Sequence, residues 1–394
     1  MRSVITLSMP NKKIAILGTH GIPARYGGFE TFAQELATRL QAREYQVIVY
    51  CEPSENPIVE YGGVELRYTR YMKSEHPLLF YFDCIWQASR SSDLLLVTGT
   101  GGALFNWIPK LSKKVLITNI DGVESRRGKW GLLKKTFIKL TEYVAVMSSD
   151  TVVADSVAIK SYVLNKYRVP SDRVVVIEYG AVQNIGAKNP TAITKYGLLP
   201  NEYYLVVARL EPENNVLEII EGYLATVSTK LLIIVGGLKD TTYVSRIKDI
   251  ASRSSGRVRL IGAIYDQAEL DALRFFCYAY LHGHSVGGTN PSLLEALAAG
   301  NIAICHDNEF NREVTENRMF YFKSSPDLTM LINEIEMLQS AALEGKKTYA
   351  LNRVASHYNW ERIADEYRKL FASYLPCKLK SSTIACKNNN CSNE

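Results

Sequence analysis

The stretch Gly283-His284-Ser285-Val286-Gly287-Gly288-Thr289-Asn290-Pro291-Ser292-Leu293-Leu294-Glu295-Ala296-Leu297 constrains this chain more than any other. It follows a short apolar run, Tyr278 to His282, that reads as a buried strand. Glycines then open a loop. Asn290 followed by Pro291 reads as a helix N-cap with proline at the first helical position. Leu293, Leu294 and Leu297 supply a buried helical face. Strand, glycine loop and helix N-terminus together form an anion site, because unpaired N–H groups and the positive dipole end point into the loop. The dipole contributes roughly 0.3–2 kcal/mol, enough to orient a phosphate but not to identify it. Glu295 lies one turn into the helix, where a carboxylate can accept from vicinal hydroxyls. A glycine-rich turn with a solvated glutamate is the plain alternative.

The rest of the chain repeats the alternation of apolar strands and helical segments. Residues 12–18 read as the first strand, followed by a loop containing Gly27 and Gly28 and a helix with Phe32, Leu36 and Leu40 on one face. The loop lacks the G-x-G-x-x-G spacing of a dinucleotide site, but its paired glycines let backbone approach a ligand closely. A flexible strand-to-helix turn is the other reading. Further strands are expected at 46–51, 64–69, 93–98, 114–119, 151–154 and 173–179. A polar segment, 183–200, reads as a linker or its flank. A second series of strands follows at 203–208, 231–235, 258–261, 277–282 and 301–306. Such alternation argues doubly wound parallel sheets, whose ligands collect at the carboxyl ends of the strands.

Several polar residues fall at those ends. Asp121 and Glu124 follow the 114–119 strand, with Arg126 and Arg127 beyond them. Asp121 is a candidate proton acceptor, or else an Asp-Gly turn bonding its own backbone. Arg209 follows the first strand of the second series, where a guanidinium can grip phosphate with paired donors. Gly262 and Ile264 lie in a loop at the same edge. His282 and His284 lack a third ligand candidate nearby in sequence, so no metal site is expected.

These motifs, in this order, resemble glycosyltransferase family 4, a retaining GT-B family, over residues 12–375. The version Gly-Gly-Thr-Asn-Pro-Ser-Leu-Leu-Glu is similar to a narrower group of bacterial rhamnosyltransferase-like proteins. The resemblance implies an α/β GT-B fold, two doubly wound Rossmann-like domains facing across a cleft. It implies an acceptor-side domain at 1–190, a nucleotide-sugar domain at 191–358, and a helix at 359–375 crossing back, introduced by His357-Tyr358-Asn359-Trp360. Gly27, Gly28, Arg209, His284, Gly287, Gly288, Thr289 and Asn290 would meet the donor diphosphate and sugar. Glu295, Gly262 and Ile264 would meet the nucleoside. Asp121 would serve the acceptor hydroxyl, with Glu124 as second candidate. The pattern departs at two places. A glutamate expected eight residues before Glu295 is Gly287, its role lost or passed to His284 or Ser285. A lysine expected five residues after Arg209 is Asn214. Glu178 stands where the family's domain-ending turn has proline.

The implied reaction moves a sugar from a nucleoside diphosphate, dTDP-rhamnose favoured and UDP- or GDP-sugars the other options, to a lipid-linked oligosaccharide. Capsule or other surface-polysaccharide synthesis is the expected setting. No cofactor or metal is expected. A GT-B sugar-nucleotide epimerase and a non-catalytic GT-B-like binding protein are the competing readings.

Composition narrows the partners. A net charge of +6 favours anionic ligands or anionic lipid, and no basic stripe with stacking aromatics points to nucleic acid. The segment from Lys129 places Trp130, Leu133, Phe137 and Leu140 on one helical face, with Lys134, Lys135 and Lys139 around it. It reads either as an interfacial membrane helix or as an ordinary surface helix packed on the sheet. Seven cysteines, an odd number without zinc spacing, fit a reducing compartment. The first ten residues lack a signal-peptide core, and no apolar run reaches about 18 residues. The expected location is the cytoplasm, at or near the inner face of the cell membrane. Residues 376–394 read as a disordered tail.

Overall fold

In the computed structural model, residues 12–24, 27–43, 45–122, 124, 131–183 and 189–375 are described. Arg126, Arg127, Lys129, Trp130 and the 376–394 segment lie outside them. The chain builds two sheets. The first contains β1 (Lys13–Leu17), β2 (Gln46–Cys51), β3 (Glu60–Tyr61), β4 (Val64–Tyr68), β5 (Leu94–Thr98), β6 (Val115–Ile120), β7 (Thr151–Ala154) and β8 (Val174–Val176). Its order is β3-β4-β2-β1-β5-β6-β7-β8, parallel except for the β3–β4 edge pair. The second contains β9 (Tyr203–Val207), β10 (Leu231–Val235), β11 (Val258–Gly262), β12 (Ala279–His282), β13 (Ala303–His306) and β14 (Phe320–Phe322), ordered β11-β10-β9-β12-β13-β14 and wholly parallel.

The central strands β1, β5, β9 and β10 are continuous apolar runs because helices cover both faces of each sheet, whereas the outer β4 alternates. The first sheet carries α1 (Gly28–Gln41), α2 (Pro77–Ser91), α3 (Trp107–Leu111), α4 (Leu132–Ser148) and α5 (Val157–Tyr167). The second carries α6 (Thr191–Thr194), α7 (Val216–Leu224), α8 (Thr242–Ser252), α9 (Gln267–Phe276), α10 (Pro291–Ala298), α11 (Glu309–Thr315), α12 (Ser325–Met337) and α13 (Ser340–Ser356). α14 (Trp360–Tyr374) follows the second sheet in sequence but packs on α1 of the first. Phe32 meets Tyr367 at 5.5 Å and Trp360 at 6.3 Å between ring centroids. Burying each such side chain contributes roughly 1.5–3 kcal/mol.

Glu178, at the end of the first domain, anchors this crossover. It accepts from Arg362 Nη2 at 2.6 Å and faces His357 Nε2 at 3.1 Å. Burial opposes its charge, but His357 and Arg362 outweigh that and hold its carboxyl at about 2. Ala181 N–H donates to Tyr358 O at 2.7 Å, and a Cβ on Gly180 would lie 2.7 Å from the Trp360 ring. A proline could not replace Glu178 in this ion pair.

Cys51, Cys84, Cys277 and Cys305 are buried free thiols. No helix among the described residues is long and apolar enough to cross a membrane. β3 and β14 were not expected, because one has two residues and the other three, too short for periodicity.

Candidate functional site

The carboxyl ends of the two sheets face each other, and the loops leaving them meet. The 283–290 loop leaves β12 and enters α10 as its residue types require. The Asn290 side chain accepts from Ser292 N–H at 3.1 Å, and Pro291 takes the first helical turn. Gly287 has φ +131, a conformation open to glycine at no steric cost. Leu293, Leu294 and Leu297 are fully buried.

This loop is held from the first domain by backbone hydrogen bonds. Gly288 N–H donates to Asp121 O at 3.1 Å, and Thr289 N–H donates to Asp155 Oδ2 at 3.0 Å. The Thr289 hydroxyl donates to Asp155 O. A Cβ on Gly288 would lie 1.7 Å from Asp155 Oδ1, so glycine is obligatory here because a carboxylate fills the space. Two of the loop amides expected to face a diphosphate are therefore engaged by acceptors from the opposite domain. Pro291 also touches the Gly27-Gly28 loop: a Cβ on Gly28 would lie 3.1 Å from Pro291 Cγ. Gly27, at φ +101, leaves room for the Glu30 carboxylate, which accepts from His20 N–H at 2.8 Å.

Asp155 is the principal residue that sequence reasoning missed. It is fully buried between β7 and α5. Burial, and then the neighbouring Asp121 charge, push its carboxyl well above the usual carboxylate range. The available signal was a carboxylate directly following the buried run Thr151–Ala154, at the sheet edge where ligands gather. Glu313 of α11 completes the contact by accepting from Val157 N–H at 2.7 Å and Ala158 N–H at 3.2 Å, at the N-terminus of α5.

Asp121 and Glu124 are both half-buried just beyond β6. The structure brings Asp121 to the 283–290 loop. Arg209 is exposed just after β9, and its guanidinium makes no hydrogen bond or ion pair among the described residues. Asn214, at the position where lysine was expected, is buried and donates to Arg209 O at 2.7 Å. It shapes the turn that presents Arg209. Ser285 spends its hydroxyl on Glu213 O at 2.8 Å, and the His284 ring stacks on His282 at 4.4 Å. Gly262, at φ +81, and the half-buried Ile264 flank the carboxyl end of β11.

Glu295 forms an ion pair with Arg274 of α9, a second residue missed from sequence. Arg274 is buried, whereas the Glu295 side chain retains 28% exposure. A lone cation inside Leu273-Arg274-Phe275-Phe276 was the clue, since buried arginine needs a carboxylate. Among the described residues no group of three His, Cys, Asp or Glu side chains could hold a metal ion.

Comparison with known proteins follows the same division. Residues 26–181 match the family model of Glycosyltransferase Family 4. No curated protein sequence matches. Sucrose-phosphate synthase from Thermosynechococcus elongatus superposes with TM-score 0.76 at 16% identity, over 92% of this chain and 100% of that one. HepE of Anabaena in complex with UDP-glucose gives TM-score 0.74 at 14% identity, over 92% and 99%. An α,α-trehalose-phosphate synthase (UDP-forming) from Burkholderia vietnamiensis gives 0.69 at 10% identity, over 92% and 100%. The chain thus has the GT-B fold of glycosyltransferases, and its first domain is similar to Glycosyltransferase Family 4.

Proposed function

We propose that this protein is a retaining glycosyltransferase that moves a sugar from a nucleoside diphosphate to an acceptor hydroxyl. One observation carries the reading. Arg209, exposed after β9 and without a side-chain partner among the described residues, opens a turn that meets the 283–290 loop through Glu213 and Ser285, and that loop meets Asp121 and Gly28 of the first domain. In this reading Arg209 and the α10 dipole hold the diphosphate, and Glu295 receives the ribose. The C1–phosphate bond breaks as the acceptor oxygen bonds C1 on the same face. The acceptor proton passes to the departing phosphate oxygen. Arg209 stabilises the charge that develops there, and Asp121 orients the acceptor hydroxyl, with Glu124 as the second candidate.

Donor and acceptor follow from likeness. The loop's resemblance favours dTDP-rhamnose, and the UDP-glucose complex of HepE favours a UDP-sugar. The acceptor is proposed as a lipid-linked oligosaccharide in surface-polysaccharide synthesis, with no metal required. The test is a donor panel incubated with lipid-linked acceptors, scored for nucleoside diphosphate release and for the anomeric configuration of the product. Release that requires acceptor, with retained configuration, supports the reading. Conversion of the donor without acceptor would identify an epimerase instead, and inverted configuration would refute the retaining mechanism.

A further inference from the structure

We propose that α2, α3 and α4 form one docking face for an anionic lipid bilayer. The observation behind it is a helix whose apolar side faces water. Along α4, Leu133, Phe137, Leu140, Val144 and Met147 recur at alternating steps of four and three residues, which places them in one stripe. Leu133 is 89% exposed, and Phe137, Leu140 and Met147 are also exposed. Leu132, beside the stripe, is 82% exposed. The side of α4 turned to the sheet is instead Thr141, Glu142, Ala145 and Val146. None of residues 132–140 is buried. An ordinary surface helix shows the reverse distribution.

The stripe has neighbours of the same kind. On α2, Leu78, Phe82 and Trp86 are exposed at four-residue steps. Phe82 stacks on Trp86 at 6.0 Å and meets Phe105 at 5.4 Å. Phe105 belongs to a 3-10 turn, Ala103–Phe105, that packs against both α2 and α4. Asn106 then bonds Ser148 of α4 at 2.8 Å, and α3 presents Trp107 and Leu111, the latter 76% exposed. Exposed apolar surface on this scale marks an interaction site.

Charge selects the partner. These three helices carry Arg90, Lys110, Lys134, Lys135 and Lys139. Their two carboxylates, Asp83 and Glu142, are both buried. Glu142 turns inward to Tyr162 and Lys166. Lys110 is paired with Asp150, but exposed leucines and tryptophans beside lysines, on helices whose own carboxylates are buried, fit an anionic bilayer, whose headgroups meet the cations while apolar side chains enter the acyl boundary. A second copy docked about a two-fold axis would set cation against cation. A protein interface would be depleted in lysine rather than enriched.

This inference deepens the lipid-linked acceptor reading, because α4 belongs to the same domain as Asp121. Its test needs neither donor nor turnover. The full chain is sedimented with vesicles of phosphatidylcholine, with and without phosphatidylglycerol. Binding only to the anionic vesicles, weakened by salt, is expected. Lys135→Gln and Lys139→Gln should each cost roughly fivefold in partitioning. Leu133→Glu with Phe137→Glu should cost more than tenfold, without altering thermal unfolding or any nucleotide-induced shift. Absence of binding, or equal binding to neutral vesicles, would overturn the proposal. So would a vesicle-free dimer dispersed by Leu133→Glu and Phe137→Glu.

Discussion

The backbone N–H of Thr289 donates to the buried carboxyl of Asp155 at 3.0 Å, joining the loop before α10 to the end of β7. Together with the bonds of Gly288 N–H to Asp121 O and of the Thr289 hydroxyl to Asp155 O, it ties the two sheets at their carboxyl edges. It also explains why Gly288 cannot carry a side chain. Gly288→Ala should therefore part the two loops and destabilise the chain, and Asp155→Gly should partly relieve that loss by vacating the space. Denaturant titrations of the two single variants and the double variant check the coupling. Strict additivity would mean that the residues do not meet.

Asp155 also predicts a pH dependence. Its folded-state value is raised, so the folded chain holds this proton more tightly than the unfolded chain does. That stabilisation is complete below the ordinary carboxylate value, about 4, and is lost as pH rises towards the folded value. Asp155→Asn keeps an acceptor for Thr289 and should remove this slope. Asp155→Ala strands a buried N–H and should cost about 1–3 kcal/mol. Unfolding measured from pH 4 upward would show a steeper decline in the native chain than in Asp155→Asn.

Glu178 acts in the opposite sense. Its folded value is about 2 against 4.5 in the unfolded chain, so its contribution is present above 4.5 and disappears as pH falls towards 2. The difference corresponds to on the order of 3 kcal/mol. Glu178→Gln should lose a comparable amount at neutral pH and flatten the acid limb. Acid titration of stability checks this, with the same curve in both proteins as the contrary outcome.

Glu295 and Arg274 are coupled, which changes how the donor site must be probed. Glu295→Ala leaves the buried Arg274 guanidinium with only the more distant Asp271 carboxylate, at 3.7 Å, and should cost up to about 3 kcal/mol in stability, apart from any effect on ligand. Glu295→Gln retains an acceptor for Arg274 and should preserve most of the stability. Nucleotide affinity is therefore compared in Glu295→Gln, with unfolding of both variants measured alongside.

Much of the fold was legible in the sequence because parallel strands covered on both faces are unbroken apolar runs, as in Leu94–Thr98 and Leu231–Val235. The cap at Asn290-Pro291 was legible because local chemistry decides it. What sequence could not convey was pairing between distant segments. Asp155 with Thr289, Glu178 with Arg362 and Arg274 with Glu295 each depend on packing between separate elements. Asn214 shows the same limit, since its absent charge was visible but its bond to Arg209 O was not. The stripe on α4 was legible as a pattern, while its outward orientation required the neighbouring elements.

The central claim, a sugar-nucleotide site in the cleft, is tested most directly by thermal unfolding with dTDP, UDP, GDP and their sugars, in the native chain and in Arg209→Ala. A nucleotide at about 100 times its dissociation constant should stabilise the native chain by roughly 2.7 kcal/mol. One base should be preferred, and the shift should shrink or vanish in Arg209→Ala. No shift with any nucleotide, or an equal shift in both proteins, would contradict the donor site placed at Arg209.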